Sequence, residues 1–164
     1  MKRKNKKAGS LQLRQKAGFT YIELIVVVVI LSILIGLSIP QFKKTFAYFE
    51  LENFTKNIYL LFNYLQSDSI SKAKIHCLNF YEETKEFKPY FLKEDGLWEL
   101  FRERLSGPYK APDGITLKIT PQEKNKIFFY PDGSIDNIAI QINNEFGHVR
   151  SLVIKGVTGG IKIQ

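Results

Sequence analysis

A single cysteine, two histidines and one tryptophan among 164 residues leave little from which a reactive centre is usually built. Cys77 has no partner for an internal disulfide, and its setting in a strand-like stretch suits a small buried residue better than a thiol nucleophile. His76 and His148 lie far apart, with no cysteine or carboxylate at metal-ligand spacing, so no metal site is expected. A serine-centred elbow, a glycine-rich phosphate loop and a paired-carboxylate motif are also missing. Asp132 and Gly133 read as turn residues rather than calcium ligands, and Trp98 with the tyrosines reads as core or interface packing. Nothing here implies a cofactor or an enzyme.

Acidic residues are absent from the first 22 positions, where Lys2, Arg3, Lys4, Lys6, Lys7, Arg14 and Lys16 fall. Those seven charges account for most of the formal net +8 and leave +1 for everything after Gly18. The basic excess is therefore a property of the tail. It reads as a membrane-topology signal and not as a nucleic-acid-binding face.

The next stretch of chain is apolar. Residues 24–39, LIVVVVILSILIGLSI, carry no charge, and adding 19–23 brings the stretch to 21 residues. As a helix that is roughly 31 Å, against a hydrocarbon core of about 30 Å. Val and Ile are modest helix formers in water, but hydrocarbon offers the backbone no other partner. The basic flank then faces the cytoplasm, and the chain beyond Pro40 lies outside. A secretory signal peptide would end in a small-residue cleavage site, whereas this run ends Ser38-Ile39-Pro40-Gln41-Phe42 and leads into a further helical pattern. Glu23, a carboxylate within the first turn of the run, is also costly there unless it has a partner.

The stretch Lys16-Ala17-Gly18-Phe19-Thr20-Tyr21-Ile22-Glu23-Leu24, followed by the apolar run and Pro40, closely resembles the prepilin processing motif of type IV pilins and type II secretion pseudopilins. The resemblance implies that a prepilin peptidase cuts between Gly18 and Phe19, that Phe19 becomes the N-methylated mature terminus, and that Glu23, Thr20 and Pro40 serve assembly. Physically, cleavage would create a cationic amine at Phe19, one helical turn from Glu23. A carboxylate at a helix N-terminus is favoured by the helix dipole and can pair with an ammonium. That pairing is either within the chain or, as the resemblance implies, with the terminus of a neighbouring subunit.

Beyond Pro40 the apolar pattern continues as Phe42, Phe46 and Phe49, then Leu51, Phe54, Ile58, Leu61 and Leu65, a helical stripe displaced once near Glu50. Pro40 is a candidate kink. One helix from about Thr20 to Ala73 would be roughly 80 Å long, and its outer half needs a domain to pack against. The stripe from Leu51 onward reads as core, while Phe42 to Phe49 are expected to meet other helices in a filament.

From Ile75 the period changes to two. Strands are expected at 75–81, 87–93, 115–119, 126–130, 135–142, 149–154 and 160–163, with 97–105 either the second arm of a hairpin around Glu94-Asp95-Gly96 or a short helix. Turn-rich links at 106–114 and 131–134 separate them, as in an antiparallel sheet or sandwich. Lys126-Ile-Phe-Phe-Tyr-Pro-Asp-Gly-Ser134 and Val153-Ile-Lys-Gly-Val-Thr-Gly-Gly-Ile-Lys-Ile163 resemble the C-terminal half of the minor pseudopilin H and FimT group, over 115–163. Where such proteins often carry an arginine after Thr-Gly, this chain has Gly160, and it ends at Gln164 without a basic tail, so DNA capture by that route is not expected.

The expected organisation is α+β: a cytoplasmic leader (1–18), a membrane-spanning first half of the N-terminal helix (19–41), an amphipathic second half (42–74) and an antiparallel β-sandwich (75–164). The resemblance implies a minor pseudopilin or pilin held in the inner membrane in a single pass, with its C-terminal domain periplasmic or extracellular. Its implied partners are other pilins in a filament, the prepilin peptidase, the inner-membrane assembly platform and lipid. The alternatives are a DNA-uptake (competence) minor pilin and a signal-anchored binding module or enzyme.

Overall fold

The computed structural model describes residues 18–102, 109–122, 125–156 and 160–164. It divides into two compact units, Met1–Ile39 and Pro40–Gln164. A 52-residue helix, α1 (Tyr21–Lys72), contributes to both, and Pro40 falls inside it.

In the second unit α1 buries Leu51, Phe54, Ile58, Leu61 and Leu65, the stripe legible in the sequence, and adds Thr55 and Phe62 on the same face. Spacings of three and four place these side chains over one another, which is why a single face suffices. Phe42, Phe46 and Phe49 stay outside the core, at 72%, 65% and 57% exposure. The helix ends at Ala73, whose φ of +50° turns the chain out of the helix while the Lys74 amide returns to the Ser69 carbonyl at 3.2 Å.

Among the described residues, nine strands come after the helix: β1 (His76–Tyr81), β2 (Glu86–Leu92), β3 (Trp98–Leu100), β4 (Tyr109–Lys110), β5 (Ile115–Thr120), β6 (Lys126–Phe129), β7 (Ile138–Asn144), β8 (Val149–Lys155) and β9 (Gly160–Ile163). They form two antiparallel sheets. The first has the order β3-β2-β1-β6, with β4 also paired to β2; the second has the order β5-β7-β8-β9. The inward residues of both sheets join the helix stripe in one cluster: Leu78, Phe87, Ile127 and Phe129 from the first, and Ile115, Ile140, Ile142 and Leu152 from the second. Phe62 meets Phe129 edge-on, with ring centroids 5.3 Å apart.

The hairpin around Glu94-Asp95-Gly96 forms as the turn residues suggest. Gly96 adopts φ +80°, and the Leu97 amide donates to Asp95 Oδ1 at 3.0 Å. The expected second arm at 97–105 is shorter: β3 stops at Leu100, Phe101 turns into the core, and 103–105 lie outside the described residues. The link expected at 106–114 contributes the short strand β4.

The stretch 135–142, read from sequence as one strand, is not one. Ile135 makes an isolated bridge with Phe129 in the first sheet, and β7 begins at Ile138 in the second. The break is local chemistry. The Asp136 amide donates to the Phe128 carbonyl at 3.2 Å, Asp136 Oδ2 accepts from the Phe128 amide at 3.3 Å, and Asn137 Oδ1 accepts from the Gly156 amide at 2.6 Å. Side-chain acceptors thus replace ladder bonds just where the chain crosses between sheets. Gly156 is required by close approach, since a Cβ there would stand 2.5 Å from the Ile135 carbonyl oxygen.

Polar contacts fix the helix at both ends of its packed face. Near its start, Asn144 Nδ2 donates to the Ala47 carbonyl at 3.2 Å, His148 packs edge-on to Tyr48, and Arg150 forms an ion pair with Glu52 and donates to the Tyr48 hydroxyl at 2.9 Å. Near its end, Gln66 Nε2 donates to the Gly133 carbonyl at 2.7 Å and Ser69 Oγ to the Tyr130 carbonyl at 3.3 Å, which seats the 131–134 turn on the helix.

Candidate functional site: the N-terminal helix start

Gly18, Phe19 and Thr20 are non-helical and exposed, immediately ahead of α1. Among the described residues, none beyond the chain neighbours lies within 4 Å of a Cβ built on Gly18.

The helix begins with a reciprocal cap. The Thr20 amide and the Thr20 hydroxyl each donate to Glu23 Oε2 at 3.0 Å, and the Glu23 amide donates to Thr20 Oγ1 at 3.3 Å. This is the capping box that a Thr three residues before a Glu forms at a helix start. It satisfies backbone donors that the first turn leaves without intrahelical partners. The pattern stands in the sequence as Thr20-Tyr21-Ile22-Glu23, although spacing alone marks Glu23 only as an acid needing a partner. The structure supplies one within the chain and uses one carboxylate oxygen, Oε2, for it.

Behind the cap, the side chains of 21–37 are exposed around the whole circumference of the helix, with no polar face. An 18-residue stretch of α1 has a mean hydropathy of 3.0, long and apolar enough to cross a membrane. A helix apolar on all sides requires an apolar environment on all sides.

The remaining candidate residues lie elsewhere. Cys77 is buried on the outward side of β1, and burial pushes its thiol up to about 11. His76 is buried against Asp68 of α1, Nε2 to Oδ2 at 2.9 Å, and its burial lowers its pKa. His148 belongs to the β7–β8 turn, 3.2 Å from Asn144 Nδ2. Among the described residues, no three His, Cys, Asp or Glu side chains are grouped to hold a metal. Asp132 is a turn residue, with Oδ1 accepting from the Ser134 amide and hydroxyl, and these bonds lower its pKa. Trp98 is 45% exposed on the outer face of the first sheet, beside Phe128.

Residues 13–39 match the family described as the Prokaryotic N-terminal methylation motif. The chain thus carries that motif at its N-terminus, ahead of a fold made of a long apolar helix on antiparallel sheets. More particularly, that fold is similar to the one solved for the minor pseudopilin EpsH of the type 2 secretion system of Vibrio cholerae. One such structure is 13% identical with a TM-score of 0.60, covering 70% of this chain and 96% of that one. A second is 11% identical with a TM-score of 0.60, covering 70% of this chain and 92% of that one. No curated protein sequence matches the chain.

Proposed function

We propose that the chain is a minor pseudopilin or minor pilin, a structural subunit of a type II secretion pseudopilus or type IV pilus with no catalytic role of its own. Residues 1–18 form a cytoplasmic leader, 19–41 span the inner membrane, 42–74 complete the helix and 75–164 form the external β domain. Prepilin peptidase cleaves the Gly18–Phe19 bond, and the new Phe19 amine is methylated. Subunits pass from the membrane into the filament through the assembly platform, helix against helix, with Phe42, Phe46 and Phe49 as part of that contact.

The observation that carries this reading is the exposed Gly18-Phe19-Thr20 segment set directly against a capped helix that is apolar on every side. Leaving such a helix in water would cost on the order of tens of kcal/mol, at about 25 cal/mol per Å² of apolar surface. Bilayer and filament interior both remove that cost. The seven basic residues ahead of it support a cytoplasmic leader.

Glu23 then has two roles. Oε2 closes the capping box, and Oε1, which takes no part in it, is available to the Phe19 ammonium of a neighbouring subunit. Co-expression with a prepilin peptidase, followed by intact-mass and N-terminal analysis, tests the processing. The expected product lacks residues 1–18 and begins with methylated Phe19. A native chain that retains the leader, or that begins beyond residue 39, would overturn the assignment.

A further inference from the structure

At the C-terminal end of α1, a cavity of about 250 Å³ opens between the helix terminus, β2 and the segment after β3. Its apolar lining is Phe91, Leu100 and Phe101. Both bordering acids are already engaged. Asp68 lies 2.9 Å from Lys72 Nζ and 2.9 Å from His76 Nε2, and Glu99 pairs with Lys93. Lys74 and Arg102 also line the cavity, and neither has an acidic partner among the described residues. Lys74 is held in place: the turn at Ala73 delivers it to the cavity, and its ammonium sits over the Phe91 ring, 5.5 Å from the centroid. Lys72 lies over Phe101 in the same way, at 5.6 Å.

From this arrangement we propose that the cavity docks an acidic peptide segment, one carboxylate meeting Lys74 and Arg102 while an adjacent apolar side chain covers Phe91 and Phe101. Charge complementarity selects the carboxylate, because among the described residues that line the cavity both acids are paired and Lys74 and Arg102 are not. The aromatic floor selects a peptide over a bare anion, which would leave that surface wet. Two cations in one cavity suit a single carboxylate. A nucleic-acid strand would draw on many phosphate contacts, and the chain after Gly18 carries a net charge of only +1. This site does not depend on the filament reading, since binding is measured on the isolated chain.

The test uses the full chain in uncharged detergent micelles and a capped pentapeptide with glutamate between two phenylalanines, alongside its glutamine counterpart. Binding is followed by amide chemical shifts at Lys74, Phe91 and Arg102. The acidic peptide should bind at least about tenfold more tightly than the amide, as one charge-assisted contact provides. Lys74→Gln and Arg102→Gln should each weaken it by about five- to tenfold, while Lys74→Arg stays within about twofold and Lys118→Gln, on β5, has no effect. Equal binding of the two peptides would overturn the proposal, as would insensitivity to both glutamine substitutions. Inorganic phosphate or a short oligothymidylate moving the same amides at lower concentration than the acidic peptide would also overturn it.

Discussion

The sharpest prediction concerns Glu23, because the structure separates two roles that spacing alone leaves merged. As the N3 residue of a capping box it needs a side chain that accepts from the Thr20 amide, and glutamine does this as well as glutamate. As the counter-charge of an ammonium it needs its negative charge. Thr20→Ala removes the hydroxyl from both sides of the box, and an N-cap substitution of this kind costs about 1 kcal/mol, roughly a fivefold change in the population of the first turn. Incorporation of Thr20→Ala into filaments should fall by no more than that factor. Glu23→Gln keeps the cap and loses the charge, and Glu23→Leu loses both. If the carboxylate pairs with a neighbouring Phe19 amine, both Glu23 variants should fall by more than about tenfold, Glu23→Leu by up to roughly a further fivefold for the lost cap. The assay is quantitative blotting of sheared filament fractions against membrane fractions, in cells expressing each variant at equal level. Wild-type incorporation of Glu23→Gln, with Glu23→Leu no worse than Thr20→Ala, would refute the pairing and reduce Glu23 to a helix cap.

Other predictions test the folded unit. Gly156→Ala should destabilise by about 1–3 kcal/mol by urea titration, because the added Cβ meets the Ile135 carbonyl, a backbone atom that cannot swing aside. Phe62→Ala, which empties a fully buried site against Phe129, should cost about 3–5 kcal/mol in the same measurement. His76 has a folded pKa below its unfolded value, so its contribution is complete above about pH 6.5 and is lost as pH falls through the folded pKa. The urea midpoint should therefore drop on acidification below about 6.5, and more steeply than in His76→Gln. Cys77, buried and with a raised pKa, should resist iodoacetamide at pH 7.5 in the native chain and react fully in denaturant, as followed by mass.

The elements that could be read from the sequence are those whose signal is local. The helix stripe from Leu51 to Leu65, the turns at Gly96 and Gly133 and the alternating strands were readable because period and turn chemistry act over a few residues. The Gly18-Phe19 motif, Glu23 and the apolar run were readable for the same reason, as one contiguous pattern of charge and hydropathy. The break at Asp136-Asn137 escaped because alternating residues on both sides of it keep the period of two, while the bonds that bend the chain come from Phe128 and Gly156. The cavity at the helix end left no trace either. Asp68, His76 and Arg102 are well separated in sequence, and only the Asp68–Lys72 pair has helical spacing.

The sequence alone determined that a membrane-length helix begins just after Gly18, since a run of apolar residues with one terminal acid has few physical solutions. Tertiary structure decided how the strands divide between two sheets, which face of the helix they cover, and which charged side chains come together at the helix end. Those outcomes depend on contacts between residues distant along the chain, where burial and the geometry of approach, not local propensity, set the free energy.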